Sequence, residues 1–111
     1  MAVTIDDIIP AKEAENSQTT QYTSTNQKTI IDKFTITNTT AGALTLSINL
    51  VTSSGSAGDA NLILKLKSVA AGETYIAVEV IGHTLDVGGF ISTIASAAAG
   101  VTIRASGRIV T

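Results

Sequence analysis

The stretch Thr29–Thr52, TIIDKFTITNTTAGALTLSINLVT, decides the predicted fold class. In a β-strand, successive side chains point to opposite faces, so apolar residues at every second position indicate a sheet with one buried face. The second half follows this pattern, because Thr, Ser and Asn separate its apolar residues Leu44, Leu46, Ile48 and Leu50. An amphipathic helix would place its apolar residues every three or four positions instead.

The segment between the two halves, NTTAG at residues 38–42, predicts a tight turn. Asn tolerates a left-handed backbone and Gly adopts one freely, which favours a hairpin loop of three to five residues. We therefore expect a β-hairpin with one apolar and one hydroxyl-rich face, whose apolar face is covered by a second sheet or by another subunit. The same residues match the glycosylation triplet. Because we expect no signal peptide, we interpret the triplet as the turn.

Turn-forming residues divide the rest of the chain into short segments of alternating polarity. Further strands are predicted at residues 18–25, 62–69, 74–80, 90–96 and 101–111. Seven to eight strands, with turn signals every eight to twelve residues, predict an all-β protein. The expected architecture is an antiparallel β-sandwich with a jelly-roll or Ig-like arrangement of strands.

Several of these strands carry more specific expectations. The polar run at 18–25 suits a sheet edge. In the strand at 62–69, the leucines are expected to face the core and the lysines the solvent. In the strand at 74–80, Ile76, Val78 and Val80 are expected to share one face. Gly107 interrupts the alternation of the last strand and indicates a β-bulge.

The first seventeen residues are predicted to form an extended N-terminal arm, and residues 18–111 the β-sandwich domain. The arm is acidic, because its four acids outnumber its single lysine; they are Asp6, Asp7, Glu13 and Glu15. Such a segment either becomes ordered against a neighbouring subunit or stays a frayed terminus. Arg104 and Arg108 are expected on one face of the last strand. They could pair with Asp32 or Glu79 across a sheet, or with the acidic arm of a neighbour.

Composition narrows the possible partners. The 111 residues suffice for one domain, and only 14% of them are charged, against about 25% in a typical domain. A weakly charged surface favours coverage by neighbours in an assembly. The chain has no Cys, and no basic stripe with interleaved aromatic residues that would predict nucleic-acid binding. The uncharged run at 87–103 is too short and too rich in small residues for a membrane span, so we predict two strands there and no membrane partner.

No pattern of catalytic or metal-binding residues is present. His83 and Asp86 are close in sequence, but a metal needs three or four ligands and the chain has a single His. Asp59 and Asn61 could contribute to a calcium site, yet they lack the spacing of a calcium loop. The glycines at 55, 58, 88 and 89 do not form a phosphate-binding loop. We therefore expect no catalytic residue, no cofactor, no metal and no enzymatic activity.

Several motifs in order resemble small structural proteins of tailed bacteriophages. The motifs are ITNTTAGALTLSINLV, VAAGETY, LDVGGFIS and the closing VTIRASGRIVT, and the resemblance covers about residues 34–111. This resemblance implies a virion β-sandwich assembled in the host bacterial cytoplasm, as a head decoration, neck or fibre protein. It implies self-association, as a trimer or larger ring, and contact with another virion protein such as the major capsid or neck protein. It carries over no functional residue.

The alternative function is a carbohydrate-binding or adhesin-like β-sandwich module. Sugar sites usually combine an aromatic platform with surrounding polar groups. The chain has only four aromatic residues, Tyr22, Phe34, Tyr75 and Phe90, and we expect both phenylalanines to be internal. We therefore favour assembly, with partners on the hydroxyl-rich face of Thr29–Thr52 and along the edge Gln18–Thr25.

Overall fold

The computed structural model describes residues 2–111, which form nine β-strands and a single 3-10 turn at Asp59–Asn61. No α-helix forms in this part of the chain. The strands are β1 (Val3–Glu13), β2 (Thr19–Thr23), β3 (Lys28–Asn38), β4 (Leu44–Val51), β5 (Leu62–Val69), β6 (Thr74–Ile76), β7 (Thr84–Leu85), β8 (Phe90–Ala95) and β9 (Val101–Val110).

The strands form two antiparallel sheets that pack face to face. The first sheet has the order β1-β9-β3-β6, with β7 also pairing with β3, and the second has the order β2-β8-β4-β5. The chain thus pairs as one long hairpin, β1 with β9, β2 with β8, β3 with β6 and β7, and β4 with β5. This ribbon then rolls up so that β3 meets β9 and β4 meets β8. The predicted all-β antiparallel sandwich is confirmed, and the strand order is that of a jelly roll.

The stretch Thr29–Thr52 contains two strands, as predicted, but they do not form a hairpin. β3 belongs to the first sheet and β4 to the second, so residues 39–43 cross from one sheet to the other. The chain crosses because each of the two strands has an apolar face that must be buried. Phe34 and Ile36 from β3 and Leu46 and Ile48 from β4 are all fully buried. Because β3 and β4 lie in opposite sheets, their apolar faces pack against each other across the core. In a flat hairpin both faces would point to the same side and would need another element to bury them.

The buried side chain of Asn38 holds this crossing in place. Its amide nitrogen donates to the carbonyl oxygens of Gly42 (2.8 Å) and Val69 (2.9 Å). Its oxygen accepts from the backbone N–H and the hydroxyl of Thr40, at 2.9 Å and 2.7 Å. The glycosylation triplet is therefore part of a turn, as predicted, and its Asn is inaccessible to solvent.

A continuous apolar core lies between the two sheets. Both sheets contribute to it, because each strand of four residues or more except β2 has at least one buried apolar residue. Burial of one large aliphatic or aromatic side chain contributes about 2 kcal/mol to folding. The largest fully buried side chains are Phe34, Ile9, Ile31, Ile36, Leu46, Ile48, Ile91, Ile103, Val51, Val69, Val80 and Val101.

The predicted N-terminal arm, residues 1–17, is extended as expected, but residues 3–13 lie within the sandwich as β1. This strand pairs with β9 and is the outermost strand of the first sheet. Two irregularities in its register let the adjacent residues Ile8 and Ile9 both enter the core. A bulge changes which face a side chain takes, so strict alternation in the sequence does not show this burial. Residue 1 of the predicted arm lies outside the described residues.

Two other predicted strands also differ in detail. In β5, Leu64 is buried, but Leu66 is 61% exposed because a bulge lies between the pairs Leu46–Lys67 and Ile48–Leu64. In the segment 74–80, β6 ends at Ile76, and a turn follows in which the N–H of Val80 bonds to the carbonyl of Ala77. The three residues that were predicted to share one face therefore do not share it. Val80 is buried, while Ile76 and Val78 are exposed.

The remaining predicted strand positions are confirmed. β2 lies at one end of the second sheet, as its polarity predicted. The run at 87–103 contains β8 and the start of β9, which lie in different sheets. Gly107 itself lies in a regular part of β9, so the bulge predicted there is not in the last strand. The extra residue lies opposite it in β3, between Ile31 and Lys33.

We predict that Gly107→Ala lowers the free energy of unfolding by about 2–3 kcal/mol, because the added Cβ would overlap the carbonyl oxygen of Ile30. Gly42→Ala is the matched control, since open space surrounds Gly42 and the change there should stay within about 0.5 kcal/mol. Urea unfolding followed by circular dichroism measures both. Equal midpoints for the two variants would contradict the close approach at Gly107.

Candidate functional site: the edges and outer faces of the sandwich

Arg104 and Arg108 of β9 both find carboxylates within their own chain. The guanidinium of Arg108 donates three hydrogen bonds of 3.0–3.2 Å to Asp32 on β3, and these raise the pKa of Arg108. Arg104 lies 3.5 Å from Asp7 on β1. Of the alternatives predicted, the pairing with Asp32 is confirmed, while Glu79 bonds elsewhere. The acidic segment does meet Arg104, but β1 brings it there as the neighbouring strand of the same molecule.

The outer face of the second sheet carries a shallow groove of about 250 Å³. A chain of amides and hydroxyls crosses it: Gln18 donates to Ser92 (2.8 Å) and to Asn49 (3.3 Å), and Asn49 donates to Asn61 (2.8 Å). The lining also includes three large aliphatic side chains and two charged ones, namely Leu62, Leu66, Ile94, Asp59 and Lys65.

The hydroxyl-rich face of β4 is less open than we predicted. Ser47 and Asn49 are each only 4% exposed. The hydroxyl oxygen of Ser47 accepts the N–H of Leu66 at 2.8 Å, and Asn49 also donates to the carbonyl of Gly58 at 3.1 Å. The polar groups of Ser47 and Asn49 therefore form hydrogen bonds with the β5 bulge and with the loop before it. The exposed parts of this face lie nearer the sheet's edges.

Large apolar side chains are exposed mainly at the two lateral sides of the sandwich. On β1, Val3 is 60% and Ile5 83% exposed. On the side formed by β5 and β6, Leu66, Ile76 and Val78 are between 46% and 64% exposed. An exposed apolar residue alone is ordinary, but clusters at sheet edges mark surfaces suited to contacts with other molecules.

A polar cluster joins the two sheets on the β5–β6 side. The hydroxyl of Tyr75 lies 2.7 Å and 2.8 Å from the two carboxylate oxygens of Glu79, and the Lys67 ammonium lies 4.3 Å from the centre of the Tyr75 ring. The hydrogen bond from Tyr75 lowers the pKa of Glu79, and the same bond raises the pKa of Tyr75. The cluster fixes the position of Lys67 next to the exposed apolar residues.

We predict that Tyr75→Phe raises the pKa of Glu79 towards its ordinary value, because the largest cause of the depression is lost. A depressed carboxyl pKa contributes stability above the unfolded-state pKa that is lost as the pH falls through the folded-state value, so the variant should depend less on pH there. NMR titration of the side-chain carboxyl measures the pKa. Tyr22→Phe is the control, since the Tyr22 hydroxyl bonds Thr29 and Gln27. An unchanged Glu79 pKa in Tyr75→Phe would refute the assignment.

The structure separates the residues that we considered as metal or catalytic candidates. His83 is exposed in a turn, where its carbonyl accepts the N–H of Ile31, and Asp86 lies 3.6 Å from Lys28 instead. Asn61 holds its own loop by bonding Ser56 and Gly58. Within residues 2–111, no group of three or more His, Asp or Glu side chains is placed to hold a metal ion.

Sequence reasoning predicted one edge strand, Gln18–Thr25, but missed the exposed apolar residues of both lateral sides. It placed Leu66 in the core and treated residues 3–5 as part of an arm. The signals that mark these sides are the triplets Ile5-Asp6-Asp7 and Lys65-Leu66-Lys67, in which charged residues flank or follow an apolar one. Neither triplet is informative until its strand is known to be the outermost one of a sheet.

Comparison with known proteins identifies no relative of this chain. No protein-family model matches the chain, and no curated protein or solved structure is detectably similar to it. The likeness to phage structural proteins therefore rests on the sequence motifs alone. A search of residues 2–111 for helices of the length and hydropathy needed to cross a membrane finds none.

Proposed function

We propose that this protein is a structural component of a tailed-bacteriophage particle. It assembles as a homo-oligomer, a trimer or larger ring, on the capsid surface or at the neck between head and tail. Its partners are its own copies and a second virion protein such as the major capsid or neck protein. It acts by covering sheet surface on assembly and not by chemistry at a site.

The observation that carries this proposal is the exposure of large apolar side chains on both lateral sides of the sandwich. Ile5 on β1 and Leu66 and Val78 on the opposite side are each more than 60% exposed. Two sides with exposed apolar residues allow one copy to contact two neighbours, which a ring requires. The jelly roll occurs in viral capsid domains, but also in lectins, so the fold adds only an analogy. The phage context comes from the sequence motifs.

The alternative, a carbohydrate-binding module, has less support. The groove on the second sheet offers amides, a carboxylate and an ammonium group, all of which bind sugar hydroxyls. None of the four aromatic residues lines it, however. Phe34 is fully buried, Tyr22 bonds Thr29, and Tyr75 bonds Glu79. A sugar ring would have no aromatic face to stack on.

We predict that the purified protein sediments as a discrete species at an integer multiple, three or higher, of the 11.3 kDa chain mass. Sedimentation equilibrium over a range of micromolar concentrations measures the mass. Mass spectrometry of purified phage particles is the companion test, since a structural component would contribute peptides to the intact virion. A monomer at every concentration would contradict the self-association, and absence from the particle would contradict the virion role.

A further inference from the structure

The backbone of Leu66 has a conformation that is unusual for an exposed non-glycine residue. Its φ angle is 47°, in the left-handed region that non-glycine residues rarely adopt, and its side chain is 61% exposed. A hydrogen bond of 2.8 Å from its N–H to the Ser47 hydroxyl oxygen fixes this conformation. The isolated fold gains little from a leucine here. Such backbone strain is commonly stored where a residue has a function.

The residues on either side of Leu66 make this edge basic. We call Lys65, Leu66 and Lys67 the lysine edge; they lie on β5, the outermost strand of the second sheet. Neither lysine has a carboxylate within 4.0 Å in the described part of the chain. Lys67 lies against the ring of Tyr75, which places this edge beside β6 of the first sheet.

The opposite side of the sandwich carries the complementary set. We call Ile5, Asp6 and Asp7 the acidic edge; they lie on β1, the outermost strand of the first sheet. Ile5 is the most exposed large apolar side chain among residues 2–111, at 83%. Asp7 has Arg104 as a partner, but Asp6 has no cation within 4.0 Å among residues 2–111.

We infer that the acidic edge of one copy binds the lysine edge of the next copy, with Ile5 and Leu66 as the apolar anchors. This inference rests on the proposed self-association and names the contact that makes it. Charges of one sign on an edge strand oppose the pairing of two identical edges. Opposite charges on the two edges favour contact between different edges. The contact is therefore head-to-tail, and it closes into a ring if the rotation per copy allows.

A contact of ordinary size would use most of one lateral side. A stable interface buries about 800 Å² on each partner. The molecule measures 46 × 26 × 19 Å, so this area corresponds to most of a side that is 46 Å long and 19 Å wide.

Charge reversal on either edge tests the contact. We expect Asp6→Lys and Lys65→Glu each to raise the concentration for half-maximal assembly about tenfold, because each places like charges opposite one another. The double variant Asp6→Lys, Lys65→Glu should assemble as the wild-type protein does, since the charges at positions 6 and 65 are again opposite in sign. Lys33→Glu is the control, because Lys33 is an exposed lysine on the central strand β3 with no carboxylate partner among the described residues.

Leu66→Asn tests the apolar anchor separately. Asn adopts the left-handed backbone more readily than Leu, so the variant should unfold at the same or a higher urea concentration. We nevertheless expect its assembly to weaken about tenfold, because the exposed leucine is lost. Sedimentation velocity measures assembly for every variant, and circular dichroism confirms that each one is folded.

The outcomes separate the two proposals. A wild-type protein that stays monomeric would overturn the proposed self-association and this contact together. A wild-type oligomer that both single charge variants and Leu66→Asn leave intact would preserve the self-association and overturn this contact. Weakening by each single charge variant and recovery in the double variant, with no change in Lys33→Glu, would establish the head-to-tail contact.

Discussion

The fold depends on one buried amide, that of Asn38, at the point where the chain leaves the first sheet and enters the second. Its four hydrogen bonds join the end of β3, the crossing segment and the end of β5. Asn38 is fully buried, so its amide would otherwise lie in the interior without partners, which costs about 1–3 kcal/mol. This network makes the crossing the favourable path for the chain. Once the chain crosses, the apolar faces of β3 and β4 oppose each other and close the core.

The jelly-roll order then determines which strands are outermost. β1 and β2 lie at one lateral side, while β5 and β6 lie at the other. Open edges invite uncontrolled pairing, and this chain limits it with bulges in β1 and β5, with Pro10, and with a β6 of only three residues. Exposed apolar residues remain on both sides nevertheless. The edges are thus protected against random pairing but keep exposed apolar surface, and the proposed assembly rests on that surface.

Charge follows the same arrangement. The first sheet neutralises Arg104 and Arg108 with carboxylates from the two strands that flank β9. Exposed pairs of this kind contribute little to stability, typically below about 1 kcal/mol. Once they are paired, Asp6 and Glu13 are the acids of β1 that have no cation within 4.0 Å among residues 2–111, and Lys65 is a lysine of β5 that has no carboxylate within that distance. Unpaired charges of opposite sign therefore remain on the two edge strands, although the net formal charge of the chain is only −2.

The all-β class, the position of most strands, the polar edge strand β2 and the structural role of Asn38 could be predicted from the sequence alone. These features depend on local alternation and turn chemistry, which a short window of residues contains. Only the tertiary structure decided that β3 and β4 belong to different sheets, that residues 3–13 form a strand of the sandwich, and that Leu66 faces solvent. The first two depend on which strands meet across the core, and the third on a bulge. A bulge shifts the side chains by one position and so reverses the face that alternation predicts. The candidate interface could not be predicted for a related reason: a strand is recognised as an edge only when its neighbours in the sheet are known.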